Sequence, residues 1–249
     1  MTSIADMAFL ATKQLTKRFG GVHALDHIDV VFAPGAITAL IGPNGSGKTT
    51  LVHTLTGLVR ADSGTIEIDS AVLHSMRATD AAAYGITRTF QNSRLILQMS
   101  VLDNLLMVLT ERPVWKALFV RHTTEHVQEA KRILLRIGLW EKRDDKVESL
   151  SYGQRKLLEI GRSLAADARI YLLDEPFAGL FPEMVKIVSE IARELRAKGA
   201  AVVLIEHDMA LVRELADYCY VLDSGKILAA GSPEQVLAHP DVIDAYLGK

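Results

Sequence analysis

The feature that most constrains the fold is a glycine-rich loop between an apolar run and a helical stretch, in AITALIGPNGSGKTTLVHTLTGL (36–58). Residues 36–41 form a short, almost wholly apolar run that stops at Gly42, which is typical of a strand buried on both faces. Residues 48–58 have helical character. This order of strand, loop and helix predicts one unit of a parallel sheet with crossover helices.

The loop GPNGSGKTT fits the pattern G-x-x-x-x-G-K-[ST] and indicates a phosphate site. Its glycines let backbone N–H groups turn toward phosphate oxygens, and the helix N-terminus adds its positive dipole end. Lys48 supplies a point charge for the β- and γ-phosphates, and the Thr49 hydroxyl suits Mg²⁺. The residues predicted to bind the nucleotide here are Gly42, Pro43, Asn44, Gly45, Ser46, Gly47, Lys48, Thr49 and Thr50.

Three later runs, RIYLLDE, AVVLIEH and YCYVLDSG, are short, apolar and separated by helical stretches at 182–198 and 208–217. They predict further parallel strands. Residues 10–32 read as a pair of strands around the turn RFGGVHALD, GTIEID (64–69) as an edge strand, and KILAAG as a terminal hairpin strand. A short helix is expected over 78–85.

Residues 93–150 contain few strand-like runs, which indicates a helical insert. The stretch HVQEAKRILLRIGL carries apolar residues on one helical face. These are Val127, Ala130, Ile133, Leu134 and Ile137. The predicted fold class is α/β: a P-loop NTPase core with a mainly parallel sheet flanked by helices, an N-terminal antiparallel β subdomain and a helical insert. We expect 1–92 and 166–249 to form the nucleotide-binding core and 93–165 the helical subdomain.

Composition excludes several classes of protein. A net charge of −2 over 249 residues does not favour a wholesale nucleic-acid binder. The single cysteine, Cys219, has no partner in the chain for a disulfide, and its apolar neighbours predict a packed thiol. We expect no secretory signal in MTSIADMAFLATKQ and no membrane span, since no apolar run approaches 18 residues. Any work at a membrane would then require docking on a protein that spans it.

Polar side chains follow three of the predicted strands at their carboxyl ends. Asp174 and Glu175 end IYLLDE, Gln91 ends ITRTFQ and His207 ends VVLIEH. Ligands of parallel sheets bind at this edge. Asp174 is suited to hold Mg²⁺, and Glu175 to act as a base or to orient water near the γ-phosphate. Gln91 is placed to reach the metal and the attacking water, and His207 to sense the γ-phosphate.

The turn LSYGQ (150–154) precedes the helical run QRKLLEIGRSLAA. Taken alone it is a helix cap, although Ser151, Gly153 and the helix start also form an anion-binding N-terminus. Together with the loop 42–50, Gln91, the acidic strand 170–175 and His207, this turn makes the chain resemble the ATP-binding subunit of an ABC transporter over nearly its whole length.

The resemblance implies ATP and Mg²⁺ as cofactors. Lys48, Glu175, His207 and Gln91 would be catalytic, and Thr49, Gln91 and Asp174 would hold the metal. Phe19, which lies 23 residues before Gly42, would stack on adenine. Ser151, Gly153 and Gln154 would bind the ATP of a facing subunit, so that two head-to-tail subunits enclose two nucleotides.

Two residues depart from the family pattern. The usual signature is LSGGQ, and Tyr152 replaces its first glycine. The turn after the acids reads AGLFPE, with Phe181 where the family often has Asp or Asn.

Within the family, RTFQNSRLILQMSVLDNLLMVL, LIEHDMALV and the ending GSPEQVLAHPDVIDAYLGK resemble bacterial branched-chain amino acid uptake systems. The long segment 107–140 fits their enlarged insert. Subunits of urea or amide importers and the lipopolysaccharide export ATPase look similar. Two alternatives from other classes fit the sequence less well. A soluble ABC protein that remodels ribosomes or DNA would usually carry two cassettes or a coiled coil. A P-loop kinase would leave the signature turn and His207 without a role.

The resemblance implies a second ATP-binding subunit, identical or different, transmembrane permease subunits and, indirectly, a periplasmic solute-binding protein. It places the chain peripherally on the cytoplasmic face of the inner membrane and implies no nucleic acid partner. No residue encodes the transported solute, because ATP subunits do not touch it. An apolar set, Leu95, Ile96, Leu97 and Met99, is either core or part of a groove that receives a permease helix.

Overall fold

The computed structural model describes residues 9–89, 95–110 and 124–247. Gln91 therefore lies outside the described residues. The chain divides into two compact units. The first comprises the chain up to Arg88, Arg169–Glu175 and the chain from Ile191 onward, and the second comprises Thr89–Ala168 and Pro176–Glu190.

The first unit contains the described strands of both sheets. They are β1 (Leu10–Phe19), β2 (Val22–Phe32), β3 (Ala36–Ile41), β4 (Ser63–Ile68), β5 (Ala71–Leu73), β6 (Ile86–Arg88), β7 (Ile170–Asp174), β8 (Ala201–Ile205), β9 (Tyr218–Asp223) and β10 (Lys226–Gly231). Its first two helices are α1 (Lys48–Leu55) and α2 (Ala78–Ala83). The second unit holds α3 (Val101–Leu109), α4 (Thr124–Arg136) and α5 (Tyr152–Ala165). Helix α6 (Pro182–Ala197) begins in the second unit and ends in the first, where α7 (Met209–Leu215), α8 (Pro233–Leu237) and α9 (Pro240–Leu247) follow.

The two sheets of the first unit confirm the predicted fold class. A six-stranded sheet has the order β10-β9-β3-β8-β7-β6, in which every neighbouring pair is parallel except β10 with β9. A four-stranded antiparallel sheet has the order β2-β1-β4-β5. The strands β3, β7 and β8 are nearly wholly buried, as continuous apolar runs in a parallel sheet must be.

Three details of the sequence prediction were wrong. The strand GTIEID is not at an edge, because the three-residue strand β5 pairs with its outer side. Helix α1 ends at Leu55 rather than near residue 58, since the backbone leaves the helical conformation at Thr56 and turns through Gly57 with φ +70°. The chain after KILAAG forms α8 and α9, which the sequence reading did not identify.

An apolar cluster joins the two sheets and α1 in the first unit. Buried side chains from β1 and β2 pack with those of α1 and of the parallel strands. A second cluster covers the sheet beside β3 and β9 and includes residues of α7, α8 and α9. The core therefore fixes the strand ends from which the candidate site is built.

In the second unit, α3, α4 and α5 pack against one another around a shared apolar core. Ala130, Ile133, Leu134 and Ile137 are buried as the helical periodicity predicts, while Val127 is half-buried. A Cβ atom on Gly161 would lie 2.8 Å from Ile137 Cδ1 and 3.2 Å from Ile133 Cγ2, so the close packing leaves no room for a larger residue there. The helical character of the insert is thus confirmed for its described residues.

Candidate functional site

The phosphate loop joins β3 to α1 in a conformation that requires glycine at two positions. Gly47 has φ +111°, and a Cβ atom on it would collide with the Ala24 carbonyl of β2. A Cβ atom on Gly42 would collide with the Leu222 carbonyl and lie 2.8 Å from Ser46 Oγ. The loop is closed by Ser46 N–H donating to Pro43 O and held by Gly225 N–H donating to Ser46 O. It is therefore fixed on both sides by neighbouring strands.

Lys48 lies inside this loop rather than in solvent. Its ammonium donates to Gly42 O at 2.7 Å and to Pro43 O at 3.0 Å. Burial lowers the pKa of Lys48, and the charges of Glu175 and Asp174 oppose that effect. The loop thus holds a desolvated cation that phosphate oxygens can engage strongly.

Asp174 ends β7 and is 2% exposed. Its Oδ2 accepts a hydrogen bond of 2.7 Å from Arg88 Nη2, and the Arg88 side chain is 4% exposed. Burial and then the Arg88 charge lower the pKa of the nearby His53. Sequence reasoning missed Arg88. The available signal was an arginine in the short run ITR, whose partner lies 86 positions away.

Glu175 follows Asp174 with a left-handed backbone, φ +46°. Its N–H donates to Ile205 O at 2.9 Å, which ties it to the end of β8. Its Oε1 lies 2.8 Å from Nε2 of His207, the second residue after β8. Both side chains keep solvent access, at 27% for Glu175 and 41% for His207. The two residues that the sequence placed on separate strand ends thus form one hydrogen-bonded pair.

Phe19 ends β1 and is 52% exposed. The Lys17 ammonium lies 5.3 Å from the centre of its ring and is held in turn by Asp62 at 2.8 Å. Val22 pairs with Phe19 across the hairpin, and Ala24 of the same strand lies against Gly47. The hairpin that carries the exposed ring is therefore anchored beside the phosphate loop.

The turn LSYGQ begins α5 in the second unit. Ser151 is the N-cap: its Oγ accepts from Gln154 N–H at 3.3 Å, and Gln154 Oε1 accepts from Ser151 N–H at 3.0 Å. The arrangement is a capping box, as the local pattern alone would suggest. Gly153 is buried, whereas Tyr152 is 59% exposed. Phe181, the other departure from the family pattern, is 71% exposed.

The apolar set after Gln91 divides between core and surface. Leu95 is buried at 8% exposure, so for this residue the core alternative holds. Ile96 and Leu97 are 36% and 38% exposed, and Met99 is half-buried. Cys219 is fully buried in β9, which confirms the packed thiol, and burial raises its pKa to about 12. None of the helices in 9–89, 95–110 and 124–247 is both long and apolar enough to cross a membrane.

Family models match two parts of the chain. The model described as "ABC transporter" matches residues 25–178, which is more than half of the chain. A model described as "Branched-chain amino acid ATP-binding cassette transporter" matches residues 226–249. The second match covers α8 and α9 together with β10.

Relatives and solved structures agree with these matches. The chain is 39% identical to the high-affinity branched-chain amino acid transport ATP-binding protein LivG of Escherichia coli, over 96% of this chain and 98% of LivG. It is 36% identical to BraF of Pseudomonas aeruginosa, a protein of the same description, with 96% and 98% covered. A nucleotide-free ATP-binding cassette from an ABC transporter superposes with a TM-score of 0.86 at 34% identity, over 98% of this chain and 100% of that one.

A second cassette, in its ADP conformation, gives a TM-score of 0.86 at 35% identity with 98% and 100% covered. The loop, the paired acids, the capped turn of α5 and the comparisons all lead to one conclusion. The predicted resemblance is confirmed, and this chain belongs to the ABC transporter family as one of its ATP-binding cassettes, the family's ATPases.

Proposed function

We propose that this chain is the ATP-hydrolysing subunit of an importer for branched-chain or other hydrophobic amino acids. The observation that carries the proposal is the Glu175–His207 pair, which sets a solvent-accessible carboxylate and an imidazole 2.8 Å apart at the strand ends beside the phosphate loop. The substrate class is supported by the branched-chain amino acid transport function of LivG and BraF and by the family match over 226–249.

In the proposed reaction, the backbone N–H groups of the loop and the Lys48 ammonium hold the β- and γ-phosphates. The Glu175 carboxylate accepts a proton from the attacking water, and the His207 ring holds that carboxylate by its Nε2 contact and can hydrogen-bond the γ-phosphate. The Lys17 ammonium lies over one face of the Phe19 ring, so Phe19 offers its other face to adenine. Ser151, Gly153 and Gln154 receive the γ-phosphate held by the partner subunit.

The oxygen donors fit Mg²⁺, which would neutralise developing charge on the phosphates when bound. Asp174 and Thr49 would hold it, with Gln91 as a further oxygen donor. The described ranges contain no group of three or more His, Cys, Asp or Glu side chains able to hold a metal. This agrees with an ion that shares its coordination between one or two protein oxygens and the nucleotide.

The proposed partners are a second ATP-binding subunit, identical or different, and two transmembrane permease subunits on the cytoplasmic face of the inner membrane. A periplasmic binding protein would deliver the amino acid to the permease. Leu97 and Ile96, both more than a third exposed, are candidates for the docking surface.

The test is reconstitution of the assembled complex in vesicles with ATP inside and a candidate binding protein outside. We expect leucine, isoleucine or valine to stimulate hydrolysis, and Lys48→Ala to abolish it by loss of nucleotide affinity. Stimulation by urea or amides alone would assign the chain to that importer group. Assembly with lipopolysaccharide export components, or no membrane partner at all, would overturn the proposed importer.

A further inference from the structure

Tyr152, the residue that replaces a signature glycine, lies against the turn that follows the paired acids. Gly179 in that turn has φ +71°, and a Cβ atom on it would lie 2.9 Å from Tyr152 Cε1 and 3.4 Å from Cδ1. The aromatic ring therefore lies in contact with the Gly179 backbone. A residue with a side chain at 179 would meet both the ring and an unfavourable backbone conformation.

Lys156, one helical turn after Tyr152, makes the second connection. Its ammonium donates to the Ala178 carbonyl at 3.3 Å and lies 5.8 Å from the centre of the Tyr152 ring. A cation over an aromatic face is attracted to it, so the lysine supports the ring while it binds the turn. The two side chains thus contact Gly179 and Ala178, which are adjacent residues of one turn.

A third contact lies at the base of the same helix. A Cβ atom on Gly153 would lie 2.6 Å from Met184 Sδ and 3.4 Å from Leu180 Cδ2. The turn is closed by Leu180 N–H donating to Phe177 O at 3.1 Å. All these residues belong to the second unit. Residues 177–184 are therefore packed on the first turn of α5 at three points.

We infer that Tyr152 and Lys156 are positioning residues that lock the turn 177–181 onto the start of α5. The inference rests on the proposed function, in which that helix start receives the partner subunit's nucleotide. Phe177 follows Glu175 by two residues, and Glu175 has the left-handed backbone described above. A change in the position of the turn therefore reaches the backbone of the proposed base through one intervening residue, Pro176. A glycine at 152 would leave the turn without its ring contact.

Hydrogen exchange of the turn amides tests the lock without any need for turnover. In Tyr152→Gly we expect the Leu180 amide to exchange at least about tenfold faster, because the closing turn opens more often. The amides of α3 and α4 should keep their wild-type rates. Tyr152→Phe retains the ring and should exchange within about twofold of wild type. Equal Leu180 protection in Tyr152→Gly and wild type would overturn the lock.

Hydrolysis by the assembled complex tests what the lock does. Tyr152→Gly should lower kcat at least about tenfold with KM for ATP nearly unchanged, since the base is misplaced while the nucleotide still binds. Tyr152→Phe should restore kcat, and Lys156→Met should give an intermediate loss. Wild-type kcat in Tyr152→Gly would overturn the inference. A loss of kcat in Tyr152→Phe as large as that in Tyr152→Gly would also overturn it, because the hydroxyl would then be assigned to a contact with the partner subunit.

A double-variant cycle with Gly179→Ala isolates the contact. The added methyl meets the ring only when Tyr152 is present, so Gly179→Ala should lower kcat much less in the Tyr152→Gly background than in wild type. If the losses of kcat in Gly179→Ala and Tyr152→Gly simply multiply in the double variant, the contact is overturned. If Gly179→Ala does not fold, the Leu180 exchange rates of the two Tyr152 variants decide whether the contact exists. Glu175→Gln separates the two proposals. Full ATP hydrolysis by Glu175→Gln would overturn the proposed function. Loss of hydrolysis in Glu175→Gln together with wild-type hydrolysis in Tyr152→Gly would overturn only the lock.

Discussion

The buried pair between Arg88 and Asp174 gives the sharpest prediction about stability. Arg88→Met keeps an unbranched apolar stem and removes the guanidinium. Asp174, at 2% exposure, then loses the guanidinium that lies 2.7 Å away. Removing one partner of a buried ion pair costs about 3–5 kcal/mol, against roughly 5–15 kcal/mol for the whole fold.

Each kcal/mol lowers the melting temperature of a chain of this size by about 2–4 °C, so Arg88→Met should melt about 6–20 °C below wild type. The assay is thermal unfolding followed by circular dichroism or calorimetry. Arg196→Met is the matched control, because its pair with Asp217 has a similar length, 2.8 Å, but both side chains are 42% exposed. An exposed pair contributes about 0–1 kcal/mol, so the control should melt within about 4 °C of wild type.

The double variant Arg88→Met/Asp174→Asn removes both charges of the pair and should recover part of the loss, since the pair is then removed as a whole instead of losing one partner. The reasoning is refuted if Arg88→Met melts within about 2 °C of wild type. It is also refuted if adding Asp174→Asn lowers the melting temperature further by its full single-variant effect.

Three further predictions concern other parts of the chain. Ser151→Arg should leave ATP binding by the isolated subunit intact and abolish cooperative hydrolysis, because its side chain would meet the partner's nucleotide. Ser151→Ala, which removes the hydroxyl and its cap at a cost of about 1 kcal/mol but adds no bulk, is the control for stability. Weakened ATP binding by the Ser151→Arg monomer would contradict the trans site. Leu97→Glu should keep the melting temperature and lose pull-down of the permease, since Leu97 is 38% exposed; normal assembly would exclude it from the docking surface. Cys219 should resist Ellman's reagent at pH 8 until the protein is unfolded, and native labelling would contradict its burial. Burial raises the pKa of Cys219 from 9.0 to about 12. The contribution of the neutral thiol to the free energy of unfolding is therefore complete below pH 9 and is lost as the pH rises toward 12. Cys219→Ala should reduce this loss of stability.

Local signals predicted much of this molecule. The apolar run 36–41 predicted a strand buried on both faces, and β3 is that strand. The same reasoning placed Glu175 and His207 at strand ends, and the parallel pairing of β7 with β8 brings them together. Periodicity found the buried face of α4.

Other features depend on contacts between residues distant in sequence. The Arg88–Asp174 pair joins residues that are 86 positions apart, and no local pattern in ITR names its partner. The contact of Tyr152 with Gly179 is of the same kind, so Tyr152 could be read only as a departure from the signature. The edge position of GTIEID was misjudged because β5, a three-residue strand, is too short to show alternation.

The most direct test of the central claim is ATP turnover and association of Glu175→Gln in the presence of Mg²⁺. The amide keeps the shape of the side chain and its reach toward His207, but it is a much weaker base. We expect ATP to bind with wild-type affinity, hydrolysis to fall at least about a hundredfold, and an ATP-dependent dimer to accumulate on size-exclusion chromatography. Wild-type turnover, with no dimer formed in ATP, would contradict the account.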